Sequence, residues 1–239
     1  MIPLRDSAAP RRLTPVNIAL VAANVAVFFF EVSLGRRASE VLGRFAMVPA
    51  NISAALSSRT TLIDGAVAHH GRLAPLETIV TSMFLHAGIW HVAGNMLYLF
   101  VFGAAVEWRM GSSRYALFYF ASGVAAALAT VWIAPQSSVP VIGASGAIAG
   151  VLGAYFIFFP RGRILTILPL FIFIQFIEIP AVLYLLFWFA VQLFSGIGEG
   201  GRGAMMGGVA WWAHVGGFMF GLGAAPMIAR ARPRRLRYR

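Results

Sequence analysis

Of the polar side chains that stand within otherwise apolar stretches of this sequence, four could do chemistry together: His91, Asn95, Ser145 and His214. Ser145 is a potential nucleophile, because a hydroxyl attacks a carbonyl once a neighbouring base takes its proton. His214 is a potential base, since a neutral imidazole can accept that proton near pH 7. Asn95 follows His91 by four residues, so the two share a face if the segment is helical, and the Asn95 amide can donate to an anionic oxygen. Other hydrolytic chemistries lack their residues. The only aspartates, Asp6 and Asp64, fall outside the apolar stretches, which excludes a paired-aspartate protease. No HExxH segment offers zinc ligands, and the absence of cysteine excludes thiolate catalysis and disulfides. The chemistry that remains calls for no metal and no cofactor.

The elements that must position these groups follow from composition. Of 239 residues, 59% are hydrophobic and only 11% charged, against about 25% charged in a soluble domain. The 20 Phe and 6 Trp likewise exclude a disordered chain. An all-α polytopic membrane protein is the class that remains, with the lipid bilayer as its surroundings. A span needs about 20 apolar residues, and six candidates are found: 16–34, 91–107, 115–134, 145–159, one helix from about Pro180, and 204–229. The first is read as a retained anchor. The apolar region 164–194 is too long for one helix, is interrupted by Pro169 and Pro180, and has no polar turn that would divide it into two. It is read as an interfacial leg followed by a single helix. Residues 1–15 then form an N-terminal segment, 35–89 a partly embedded outer loop within the membrane domain 16–229, and 230–239 a basic tail.

The net charge of +11 comes with nineteen basic residues, every one an arginine. Placing both termini in the cytoplasm puts thirteen of them inside and six outside, the sense of the positive-inside rule. The charge is therefore read as a topology signal, and no nucleic-acid partner is expected. With no transit peptide ahead of the first span, a bacterial inner membrane is the expected location, with an organelle of bacterial ancestry as the alternative.

Depth ties the four polar residues together. Ser145 lies 16 residues before Arg161, His214 lies 16 before Arg230, and His91 and Asn95 lie 18 and 14 before Arg109. At 1.5 Å per residue this is about 24 Å, so all four fall about 6 Å below the outer edge of a 30 Å core. Gly146, Gly150 and Gly153 fall on one face of the fourth span, and Gly217 and Gly221 share a face with His214 on the sixth. Small residues at this spacing let membrane helices approach backbone to backbone, which would bring Ser145 towards His214. Ser145 also opens its helix, where free backbone N–H groups can face developing negative charge. Taken singly, each feature has a plainer reading: a serine that packs, a histidine that only hydrogen-bonds, helices that merely touch. His91 and His214 at equal depth could also ligate a b-type haem.

The sequence resembles the rhomboid family of intramembrane serine proteases. The resemblance covers roughly 81–221. It rests on His86, on His91-Val92-Ala93-Gly94-Asn95, on Glu107-Trp108-Arg109-Met110-Gly111, on Gly143-Ala144-Ser145-Gly146 and on Ala213-His214-Val215-Gly216-Gly217, in this order across the spans. It implies a six-helix bundle acting on transmembrane protein substrates, with Ser145 as nucleophile and His214 as base and then acid. It further implies an oxyanion hole from Asn95, His91 and the Ser145 backbone N–H. By the same analogy His86, Glu107 and Arg109 are structural. Relatives without activity, serving binding or quality control, share the fold but usually lack the Ser or the His. One departure is Ala149, where family members often carry an aromatic residue that stacks on the catalytic His. The His214 ring, with no acidic partner in view, must then be oriented by packing, with Trp211, Trp212 or Tyr155 as candidate surfaces. Phe187, Trp188 and Phe189 could form a lateral gate to lipid.

Overall fold

The computed structural model describes residues 1–8, 10, 13–57, 74–170, 173–198 and 210–229. The expected basic tail, the arginines 11, 12, 59, 72 and 202, and the start of the sixth expected span lie outside the described residues.

In chain order the elements are β1 (Ile2–Asp6), α1 (Pro15–Ser33), and the short helices α2 (Ala38–Phe45), α3 (Pro49–Leu56) and α4 (Ala74–Thr81). They continue with α5 (Ile89–Tyr98), α6 (Ala104–Met110), α7 (Ser112–Ile133) and α8 (Ser145–Phe158). A hairpin of β2 (Arg163–Leu170) and β3 (Phe173–Pro180) leads into α9 (Ala181–Gly198), and α10 (Trp211–Ala229) closes the order. Helices α5 and α6 form one continuous rod through a wide π turn at Leu99–Gly103. Among the described residues, four rods are long and apolar enough to cross a membrane: Pro15–Ser33, Ile89–Met110, Ser112–Ile133 and Ala181–Gly198. The other two expected spans are α8, with 14 residues, and α10, with 19 and a proline inside. Large side chains such as Phe29, Phe100, Leu117 and Trp132 are exposed around the outside. So much bare apolar surface suits lipid as the surrounding solvent.

Helix α8 is the centre of the bundle. From Gly146 to Tyr155 every residue is buried, so this helix is apolar all round because it meets protein on all sides. Its glycines set how closely the neighbours come. A Cβ on Gly217 would overlap the carbonyl of Gly146, one on Gly221 the carbonyl of Gly150, and one on Gly153 the carbonyl of Phe218. On the other side, Gly146 and Gly150 admit Ala126 and Ser122 of α7. The expected packing glycines thus sit where backbone meets backbone.

Two polar anchors hold α1 and the π turn. Glu107 accepts the backbone N–H groups of Val16 (3.2 Å) and Asn17 (2.7 Å) and the Ser112 hydroxyl (2.7 Å). It thereby satisfies donors at the start of α1, which has no capping side chain of its own. The Asn17 amide donates to the Leu99 carbonyl (3.1 Å), inside the π turn, and its oxygen accepts from the Tyr115 hydroxyl (2.7 Å). A π turn leaves backbone groups outside the regular ladder, and Asn17 supplies a partner for one of them.

The expected interfacial leg is instead a β-hairpin. Strands β2 and β3 pair antiparallel from Arg163 opposite Pro180 to Leu170 opposite Phe173, and β1 adds to the other edge of β2, Ile2 opposite Ile167 and Asp6 opposite Ile164. The segment is rich in Ile and Phe, which favour strands. Pairing with β1 ends at Ile167, so at Pro169 the strand is an edge, where a missing N–H is tolerated. The N-terminal segment contributes this third strand. Asp6 is buried at its end, accepting from the Ala8 N–H (2.8 Å) and from the Tyr155 hydroxyl on α8. Burial pushes the Asp6 carboxyl up to about 6, against the pull of those two hydrogen bonds.

Candidate active site

Ser145 is the first residue of α8, and the turn before it is shaped by Gly143. That glycine has φ +115°, a conformation L side chains rarely adopt. Its N–H donates to the Ser82 carbonyl (2.9 Å). A Cβ there would come within 2.8 Å of His91 Nε2 and 3.5 Å of Asn95 Nδ2, so only glycine lets this turn lie against both side chains. The strand-like approach to Ser145 is thereby laid across the His91 and Asn95 face of α5. At 14 residues α8 is about 21 Å long, shorter than a bilayer core of about 30 Å. Such a helix can begin below the membrane surface.

His214 lies one turn into α10, buried, and the close α8–α10 packing brings its ring to Ser145. The Nε2 atom is 2.7 Å from Ser145 Oγ. The two residues that the sequence proposes as base and nucleophile are therefore in hydrogen-bond contact across 69 positions of chain.

The other ring nitrogen has a partner that sequence reasoning missed. His214 Nδ1 lies 2.6 Å from the Oε1 atom of Gln192 on α9, and both residues are buried. Packing alone is therefore not what orients the imidazole. Trp188, one turn before Gln192, places its ring centroid 5.8 Å from that of His214, and Trp211 meets it edge-on at 6.5 Å. These two rings stand in for the aromatic residue missing at Ala149. Trp211 was among the expected surfaces, but Tyr155 is not one of them, being packed on Phe102 and Phe159 and bonded to Asp6. Of the three aromatics considered for a gate, Trp188 is turned to His214 and Phe189 stacks on Phe218 at 4.8 Å, while Phe187 is exposed. A lone polar residue inside an apolar span was the available signal for Gln192.

On α5, Asn95 is buried and its amide nitrogen has no hydrogen-bond partner among the described residues. A buried donor left unpaired is costly, and such a group is explained when something else is meant to bind it. His91 Nδ1 accepts from the Ala87 N–H at 3.4 Å. That bond leaves the proton on Nε2, the atom beside Gly143. Together these give two side-chain donors alongside the turn that carries Ser145.

The residues expected to be structural are placed as follows. The His86 ring packs edge-on against His91 with centroids 5.1 Å apart, its Nδ1–H donates to the Phe84 carbonyl (3.2 Å), and its backbone N–H donates to Glu31 (3.2 Å). Burial first, and then charge on His91, lower the His86 imidazole to about 4, against the raising effect of its hydrogen bond to the Phe84 carbonyl. Glu107 anchors α1 and the start of α7, and Arg109 lies over the Phe158 ring at 5.3 Å.

A Rhomboid domain family model matches residues 75–231, which takes in every side chain just placed around Ser145. The chain belongs to the rhomboid family. Among its relatives, the mitochondrial Rhomboid protein 1 of Saccharomyces cerevisiae is 32% identical over 149 residues, 61% of this chain and 40% of that protein. The rhomboid protease GluP of Bacillus subtilis is 45% identical over 76 residues, 32% of this chain and 14% of that one. RHOMBOID-like protein 1 of Arabidopsis thaliana is 30% identical over 216 residues, 85% of this chain and 50% of that one. The matches thus span half or less of these rhomboid relatives. The protein is an integral membrane protein, but relatives from a mitochondrion and a plant do not support the bacterial inner membrane expected from sequence.

Proposed function

We propose that this rhomboid is an intramembrane serine endopeptidase that hydrolyses peptide bonds in or near the transmembrane helices of other membrane proteins. The observation that carries the reading is the 2.7 Å contact between Ser145 Oγ and His214 Nε2. In this mechanism His214 takes the hydroxyl proton as Ser145 attacks the scissile carbonyl. The oxygen that becomes anionic is held by the Ser145 backbone N–H, the Asn95 amide and His91 Nε2–H, donors that are fixed before the charge develops. His214 then gives its proton to the leaving amine. The ester formed on Ser145 is released by water, which His214 deprotonates in turn. The unpaired Asn95 amide supports this account, since it gains a partner only when substrate is bound.

The short helix α8 also supports a reactive layer below the membrane surface. Solvent must reach that layer, and a substrate helix must unwind to present an extended peptide bond there. The proposed topology has six spans within 16–229, both termini on the cytoplasmic side, and the 35–89 loop and Ser145 towards the opposite face.

The test is incubation of purified wild-type protein and Ser145→Ala with a model transmembrane substrate, in parallel with a fluorophosphonate probe. Cleavage and labelling by the wild type alone are expected. Equal cleavage by both proteins would refute the nucleophile, and a wild type that neither cleaves nor labels would favour a binding or quality-control role for the same fold.

A further inference from the structure

We propose that Gln192 is a positioning residue that fixes the tautomer and the ring plane of His214, so that the hydrogen-bonded chain of the site has three members. The inference rests on the protease reading above. It begins with the donor inventory of the contact. An amide oxygen only accepts, so the 2.6 Å approach of Gln192 Oε1 to His214 Nδ1 requires the proton to sit on Nδ1. A neutral imidazole carries one N–H, which leaves Nε2 as the lone pair that faces Ser145 Oγ at 2.7 Å. This is the tautomer a general base needs. The opposite one would present N–H to the hydroxyl and could not accept its proton.

The location of Gln192 favours such a role. It is buried in α9, and a buried amide is costly unless its hydrogen bonds are made. Trp188 precedes it by one turn on the same face and lies against the same imidazole, so a single helix fixes the ring by a hydrogen bond and by a flat surface. When His214 becomes imidazolium, both its N–H groups are donors, and the Gln192 oxygen is already in place for one of them. Gln192 itself neither gains nor loses a proton, and it touches no substrate.

The test reads the tautomer directly. Protein carrying ¹⁵N-labelled histidine, in micelles at a pH where His214 is neutral, is compared with Gln192→Leu, Gln192→Glu and, for assignment, His214→Ala. The Nδ1–H tautomer is expected in the wild type and in Gln192→Glu, where a carboxylate also accepts, and its loss is expected in Gln192→Leu. Leucine suits the apolar interior, so this variant should fold.

On a transmembrane substrate Gln192→Leu is expected to lower kcat by about 10- to 100-fold with KM nearly unchanged, a part of the 10²–10⁴ attributed to a positioned general base. Gln192→Glu is expected to keep most of the turnover and to move the acid limb of the pH profile up by about 1 unit, because a nearby negative charge favours the imidazolium. A wild-type His214 protonated on Nε2, or a tautomer that Gln192→Leu leaves unchanged, would overturn the proposal even if Ser145→Ala proves inactive. Absence of cleavage by the wild type would overturn the protease reading, while the tautomer would still decide the role of Gln192.

Discussion

Gly217 on α10 rests against the carbonyl of Gly146 on α8, the residue immediately after Ser145, and no side chain fits between them. The spacing of these two backbones sets how far His214 stands from the hydroxyl it contacts. Gly217→Ala should force the helices apart, at a cost of about 1–3 kcal/mol for overpacking. A shift of 1 Å at reacting atoms can cost about 10²-fold in rate. Thermal unfolding in micelles and cleavage rate should therefore both fall, while Gly223→Ala, where a Cβ meets open space, should change neither.

Asn95 contributes a donor that has no partner among the described residues. Asn95→Ala is expected to reduce kcat by about 10²–10³-fold, the usual effect of removing one oxyanion donor. KM and the unfolding temperature should stay close to wild type, since the Asn95 amide nitrogen makes no hydrogen bond among the described residues. A variant with normal kcat would remove Asn95 from the oxyanion site.

Glu107 serves three donors on two helices. In Glu107→Ala those donors lose their acceptor within the protein, and a loss of about 1–3 kcal/mol per buried unsatisfied group is expected. The unfolding temperature should drop markedly, and the folded fraction should retain its kcat because Glu107 does not touch the reacting groups.

Two buried titrating groups outside the spans act in opposite senses. His86 is neutral in the fold and is lowered to about 4, so between its unfolded value of 6.5 and pH 4 the unfolded chain binds more protons. Stability should fall as pH drops through that window. His86→Phe should flatten this acid limb of a plot of unfolding temperature against pH.

Asp6 is raised from 3.8 to about 6, so its contribution is fully present below 3.8 and is lost as pH rises to about 6. Asp6→Asn retains an oxygen for the Ala8 N–H and the Tyr155 hydroxyl without the buried charge. It should unfold at a higher temperature than wild type at pH 7 to 8, with the gap closing on acidification. A constant gap across this range would mean that the Asp6 carboxyl does not titrate there.

The parts of the site carried by helix periodicity were legible in the sequence. Ser145 and His214 fall at one depth because each is counted from an arginine at the end of its own span, and the glycines beside them announce close packing by their spacing alone. Gln192 was not read, although a solitary amide within Phe187–Phe194 is as conspicuous in an apolar span as Ser145. Its partner is 22 residues away on another helix, and no periodicity links the two. Asn17 and Glu31 in the first span were passed over for the same reason: each hydrogen-bonds to a distant part of the chain, Leu99 and His86 respectively. The hairpin was hidden because a continuous apolar run reads equally as buried helix or strand, and only pairing with β1 separates the two.

The wide turn at Leu99–Gly103 inserts an additional residue into the winding of the second long rod, and each residue of an α-helix advances the azimuth by about 100°. The half that bears His91 and Asn95 and the half that bears Glu107 are consequently phased independently, one to face the serine and the other to face α1. Deleting a single residue there would restore uniform winding and rotate one half out of alignment with its neighbours, so that catalysis or the seating of α1 would be lost, but both could not be kept.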